Sequence, residues 1–189
     1  KALAITLDCN SRHVWLDPRN GAAMAIAESV RNLACVGAEP IGATDCMNFG
    51  NPERPEIMGQ FVGSLEGMPD ACRVLDFPVV SGNVSFYTES AGQSAQPAPA
   101  IGGVGLIEDL DATAHIALNG PDDALVLVGE TKGHLGASLY LREIAGSEGG
   151  AAPGVDLAAV RRNGDFVRTL IQSGRVTACH DVADGGVYV

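Results

Sequence analysis

The stretch Thr44-Asp45-Cys46-Met47-Asn48-Phe49-Gly50-Asn51-Pro52 decides how this chain is read. It starts inside an apolar run, residues 41–47, that reads as a strand, and it ends in Asn, Gly and Pro, the residues of a loop. A strand that delivers a carboxylate and amides into such a loop is the arrangement by which α/β sheets hold ligands at their strand ends. Two further segments share the form: Leu7-Asp8-Cys9-Asn10, and Ser81-Gly82-Asn83-Val84-Ser85-Phe86-Tyr87-Thr88-Glu89. Asp, Asn and Glu oxygens are hard donors, suited to a Mg²⁺ that keeps waters and bridges phosphates. Gly82 lets a ligand come close to the backbone, and Ser85 offers a hydroxyl to a phosphate or a carbonyl. Taken singly, each Asp or Asn also reads as a turn former; the recurrence at three strand ends is what points to a site.

Outward from these motifs the chain alternates strands and helices. Residues 2–7 read as a buried strand ending at Asp8, and residues 19–36 as a helix with Ala23, Ile26, Ala27, Val30 and Ala34 inward and Gly37 as its stop. Ile57, Phe61, Leu65, Met68, Cys72 and Leu75 step by three and four along a second helix, with Pro55 in its first turn; Pro69 is expected to kink or split it. Residues 78–80 read as a short strand, 90–99 as a flexible excursion and 101–107 as a strand, whose Gly102-Gly103-Val104-Gly105 suits close packing or a bulge better than a phosphate loop. A composition shift across 109–121 marks a domain boundary. Beyond it, 124–128 reads as a strand, 134–144 as a helix, 148–153 as a loop, 156–173 as an amphipathic helix (Leu157, Val160, Val167, Leu170 and Ile171 inward), 176–179 as a strand and 180–186 as a turn. The fold class is mixed α/β or α+β.

Composition removes several functions. Twelve basic against 23 acidic residues leave a net charge of −11, the wrong sign for non-specific nucleic-acid binding or an anionic membrane surface. No apolar run approaches the ~18 residues of a spanning helix, and no signal peptide is visible. The cysteines, Cys9, Cys35, Cys46, Cys72 and Cys179, form no CxxC and no zinc spacing, and are expected to be reduced and mostly buried, as in a cytoplasmic protein. There is no P-loop motif and no Ser/His/Asp arrangement. His13, His115 and His134 read as surface or structural residues, whereas His180, beside Asp181, suits either a ligand or a turn. The chain opens on Lys1 and closes in an apolar stretch, and is read as a piece of a longer protein.

Taken in order, Asp8-Cys9-Asn10, the segment Arg31-Asn32-Leu33-Ala34-Cys35-Val36-Gly37-Ala38-Glu39-Pro40, the opening stretch, Ser81–Tyr87 with Glu89, and His180-Asp181-Val182-Ala183-Asp184-Gly185-Gly186 resemble the formylglycinamidine ribonucleotide synthetases, ATP-dependent ligases of purine biosynthesis. The last segment is the least specific. The resemblance spans nearly the whole sequence and implies the aminoimidazole ribonucleotide synthetase-like fold. It implies a second A domain, residues 1–111, whose sheet pairs into a barrel flanked by helices, and the beginning of a B domain, residues 112–189. With the first A domain absent from this sequence, two copies are expected to pair through the sheet as a homodimer.

In that family, ATP phosphorylates the amide oxygen of formylglycinamide ribonucleotide, and ammonia from a partner glutaminase displaces the phosphate; a small bridging subunit completes the complex. Carried over motif by motif, Asp45 and Gly82 would contact ATP, Asn83 would be a Mg²⁺ ligand and Ser85 would touch the substrate. The catalytic histidine of the family falls in the first half, so no residue here is named catalytic, and this chain alone is expected to be inactive as a synthetase. The alternative is a catalytically silent half that completes the barrel and binds nucleotide weakly or not at all. Sister enzymes such as selenophosphate synthetase, thiamine-monophosphate kinase or a hydrogenase maturation factor are disfavoured by Asn48-Phe49-Gly50-Asn51-Pro52. Pro69, and Gly133-His134-Leu135-Gly136-Ala137-Ser138, depart from the family pattern.

Overall fold

The computed structural model describes residues 1–183 and 186–188. Four strands make the main sheet: β1 (Ala2–Asp8), β2 (Glu39–Asn48), β3 (Val79–Ser85) and β6 (Ala98–Ile107), in the order β1-β6-β2-β3. β6 is antiparallel to both β1 and β2, and β3 is parallel to β2, so β1, β2 and β3 all run the same way. Their C-terminal ends therefore meet at one edge, which is how the three Asp/Asn motifs come together. β4 (Glu89–Ser90) and β5 (Gln93–Ser94) form a small hairpin.

Helices cover one face of the sheet. α1 (Ser11–Leu16) is capped by the Asn10 side chain, and α2 (Pro18–Cys35) by Asp17, with Pro18 in its first turn. α2 lies against β1, β2 and β6 and is buried on most sides, because α3 (Pro55–Leu75) and α5 (Leu157–Gln172) pack against it. Close approach is built from small residues. A Cβ on Gly103 would lie 2.8 Å from Thr6 Cγ2 and 3.2 Å from Ser29 Cβ, and one on Gly67 of α3 would lie 1.9 Å from the Arg19 carbonyl oxygen of α2. The glycines of β6 thus serve packing, as the sequence suggested.

The other face of the sheet is open. Leu3, Ile5 and Leu7 of β1 are 62, 77 and 77% exposed. Strand alternation places them with Val104 and Leu106 of β6, their partners across the β1–β6 ladder, and with Thr44 and Cys46 of β2.

Several expectations are corrected. α3 is one element through Pro69, so of the expected kink or split the split does not occur. The carbonyl that loses its partner is that of Leu65, and both residues lie on the exposed stripe of the helix, where water can satisfy it. Leu65 accordingly points outward; Ile57, Ser64, Gly67, Met68, Ala71 and Leu75 are buried, and Phe61 and Cys72 pack against the core as expected. The segment expected as an excursion at 90–99 holds the β4–β5 hairpin, turned by Ala91 and Gly92 at φ 51° and 76°, and the start of β6 at Ala98. Residues 124–128 are not a strand: Leu125, Val126 and Leu127 are exposed, and among the described residues no strand pairs with them. The helix expected at 134–144 shrinks to α4 (Leu139–Glu143), because Ala137 is left-handed and the Ser138 side chain caps the helix at its next residue. At 176–179 only Ala178 bridges, to His115. The cysteines are all free; Cys9 and Cys46 are exposed and the other three half-buried. Asp184 and Gly185 of the expected 180–186 turn lie outside the described residues.

Candidate functional site at the strand ends

Asp8, Ile101, Asp45 and Gly82 form one row across the sheet, since Ile101 of β6 is in register with both aspartates and Asp45 with Gly82. The two ends of the row differ. Asp8 is buried and accepts hydrogen bonds from Ser29 Oγ at 2.6 Å, Asn32 Nδ2 at 2.7 Å and Thr6 Oγ1. Its lone pairs are committed, so the first motif locks α2 to β1 rather than facing a ligand. Asn10 of that motif is the cap of α1.

Asp45 is half-buried beside the edge strand β3. A Cβ at residue 82 would lie 2.3 Å from Asp45 Oδ1, so the carboxylate lies over the glycine backbone. Burial pushes its carboxyl above the usual carboxylate range, and a hydrogen bond from the Asn83 backbone N–H pulls it part of the way back.

Alternation along β3 sends Gly82 to the helix side and Asn83 and Ser85 to the open face. There Asn83 Nδ2 donates to Ser85 Oγ at 3.0 Å. The four residues singled out from the sequence thus form two pairs, Asp45 with Gly82 and Asn83 with Ser85, on opposite sides of the β2–β3 ladder. The Asn83 N–H, which bonds Asp45, and the β3 backbone itself link the two pairs.

The loops that follow β2 and β3 are zipped to each other. The N–H of Phe49 donates to Ser85 O, that of Tyr87 to Gly50 O, and that of Thr88 to Phe49 O, at 2.9–3.0 Å. Phe61 of α3 stands edge-on to both Phe49 and Phe86 beneath them. Tyr87 holds φ at 59°, a left-handed backbone uncommon for an aromatic residue. Arg54 reaches Glu89 at 3.7 Å and Ser94 Oγ at 3.4 Å, clamping the β4–β5 hairpin over the Asn-rich loop. Sequence reading missed Arg54 and Ser94, and the only signal was the proximity of Arg54 to Pro52.

Residues 1–107 match the AIR synthase related protein family, N-terminal domain, and residues 120–189 match its C-terminal domain. The chain belongs to this family. It is 58% identical over its whole length to the phosphoribosylformylglycinamidine synthase subunit PurL of Parvibaculum lavamentivorans, of which it covers 26%. The chain therefore spans about a quarter of the length of the curated relatives it matches. Among solved structures, T. maritima PurL complexed with ATP is 28% identical, with a TM-score of 0.55 over 59% of this chain and 19% of that one. T. maritima PurL complexed with FGAR aligns with 98% of this chain and 30% of that one at a TM-score of 0.75 and 20% identity, a likeness of fold. The aminoimidazole ribonucleotide synthetase-like fold inferred from the motifs is thereby established for this member of the AIR synthase related family.

Proposed function

We propose that this chain contributes to the nucleotide site of an ATP-dependent C–N ligase, a phosphoribosylformylglycinamidine synthase, that makes formylglycinamidine ribonucleotide from formylglycinamide ribonucleotide, ATP and ammonia. The observation that carries the reading is the juxtaposed pair of strand ends: Asp45 over Gly82, with Asn83 and Ser85 next along β3 and the two following loops bonded to each other. The whole-chain likeness to PurL subunits, and the ATP complex of a 28% identical relative, support it.

In this reading Asp45 and Gly82 contact ATP and Ser85 touches the substrate. The open face suits a Mg²⁺ held mostly by phosphates and waters, because Asn83 keeps its amide oxygen while its Nδ2 is engaged by Ser85. It does not suit an all-protein cage, since among the described residues no three His, Cys, Asp or Glu side chains converge. Bound there, the metal would offset phosphate charge. The chain's own residues position the phosphates and the amide for in-line transfer. The zipped loops and the Arg54–Glu89 clamp hold that geometry before the ligand arrives.

The boundary at residues 111/112, the glutaminase and bridging subunits and a cytoplasmic setting belong to this reading. So does the partner of the bare sheet face: a second A-type sheet, which for this chain by itself is a second copy. Among the described residues no helix is long and apolar enough to cross a membrane. The test is calorimetric titration of Mg-ATP into the chain at two protein concentrations, beside Asn83→Ala. Saturable binding that weakens in the variant is expected. Absence of binding at both concentrations would favour the silent, barrel-completing half.

A further inference from the structure

Two contacts join α2 to the segment that follows α5. Arg31 Nε lies 3.3 Å from Asp181 Oδ2, whose side chain is only 5% exposed. One helical turn on, Cys35 and Cys179 lie close enough for each thiol to shift the other's titration. Residues 31 and 35 share one helix face about 6 Å apart along the axis. Residues 179 and 181 stand two apart in the segment that passes this face, so the ion pair and the thiol pair hold the same segment to the same helix. The segment is also pinned from behind, where the Cys179 N–H donates to His115 O at 2.8 Å and Ala178 bridges His115. Nothing in the nucleotide site calls on these cysteines.

We propose that Cys35 and Cys179 are a reversible dithiol–disulfide couple which, oxidised by a hydroperoxide, staples the segment after α5 to the C-terminal end of α2. Cys179 is the attacking thiol. The neighbouring Cys35 thiol, helped by His180, lowers its pKa against the effects of burial and Asp181. The same thiol neighbour and burial push Cys35 upward. The Cys179 thiolate attacks the distal oxygen of the hydroperoxide; the O–O bond breaks, the alcohol (or water) leaves, and Cys179 becomes a sulfenic acid. Cys35 sulfur then attacks the sulfenic sulfur and expels water. The two thiols are oxidised by two electrons, the peroxide is reduced by two, and both thiol protons end on the departing oxygens. A small-molecule thiol reverses the bond by exchange.

The test exposes the folded chain to limiting hydrogen peroxide, blocks residual thiols and maps unreduced peptides by mass. Expected is a Cys35–Cys179 linked peptide lighter by two hydrogens, formed on the order of tenfold faster in the folded chain than in guanidinium, because the thiols are held in contact. Cys35→Ser, confirmed as folded by circular dichroism, should abolish the link and leave a sulfenic acid on Cys179 that dimedone captures. Cys9→Ser and Cys46→Ser should leave the link intact. Oxidation confined to the exposed Cys9 and Cys46, links scattered among several cysteines, or over-oxidised Cys35 and Cys179 without a link would each overturn the proposal.

Discussion

The carboxylate of Asp45 occupies the space that a side chain at residue 82 would need: a Cβ there would lie 2.3 Å from Asp45 Oδ1 and 2.7 Å from its Cγ. The identities of the two residues are therefore coupled through space. Gly82→Ala should destabilise the chain by about 1–3 kcal/mol, the usual cost of overpacking. In an Asp45→Ala background it should cost markedly less. A double-mutant cycle by urea denaturation reads the coupling, and additive effects would show that the carboxylate simply swings away.

The same carboxylate gives a pH signature. Its folded pKa is raised, chiefly by burial. The stability this group contributes is thus fully present below the unfolded carboxylate value of about 3.9 and is lost as pH rises through the folded value. Asp45→Asn, which cannot ionise, should gain on the wild type as pH rises from about 4, and the gap should level off once Asp45 is charged. Thermal unfolding of both proteins between pH 4 and 8 measures this; a constant difference contradicts it.

Two glycines of α3 should respond in opposite directions. Gly59 faces open space, so Gly59→Ala should stabilise by up to about 1 kcal/mol through helix propensity. Gly67 sits against the Arg19 carbonyl, which is backbone and cannot rotate away, so Gly67→Ala should cost about 3 kcal/mol or prevent folding. Chemical denaturation of the two variants gives the comparison.

Asp8→Ala should be among the most damaging changes outside the hydrophobic core. It removes the acceptor of three side-chain hydrogen bonds and leaves Ser29, fully buried, without that partner. A loss of about 3–5 kcal/mol is expected, read from the shift in denaturation midpoint. Nucleotide affinity of the surviving folded fraction should change little, since Asp8 faces no ligand in the proposed site.

The bare sheet face should govern association. Ile5→Asp places a charge at the middle of the exposed β1 row without touching the helix-covered face. Sedimentation equilibrium should show the wild type self-associating with concentration and the variant remaining monomeric. A wild type that stays monomeric at all concentrations would remove the second-copy reading.

Legibility in the sequence followed the kind of signal each element carries. α2 was readable because Ala23, Ile26, Ala27, Val30 and Ala34 keep one period, and all are buried. α3 was found and Ile57, Phe61, Met68, Cys72 and Leu75 do face the core, but Leu65 was misplaced and the small inward residues were missed. Close approach to α2 is made at Gly67, against the Arg19 carbonyl, and Ser64 and Ala71 are buried as small residues, while apolar counting favours Leu65. Asp45, Gly82, Asn83 and Ser85 were legible as a set, because unusual polar residues follow apolar runs. Their division between the two sides of a ladder was not, since that depends on which strands pair and in what register. For the same reason Leu125-Val126-Leu127 looked like a strand: apolarity is written in the chain, but a pairing partner is not.

The position of β6 has a consequence for how the chain is made. Synthesis delivers β1 and β2 first, yet in the sheet both lean on β6, and among the described residues β1 pairs with no other strand. Until residue 107 has cleared the ribosome, α2 lacks much of the surface it covers, and β1 is a row of unpaired amides and leucines. The nascent chain must therefore carry its unfinished sheet through roughly a hundred residues of elongation, several seconds or more at ordinary translation rates. That interval, more than the stability of the finished domain, is when it is exposed to aggregation and to proteases.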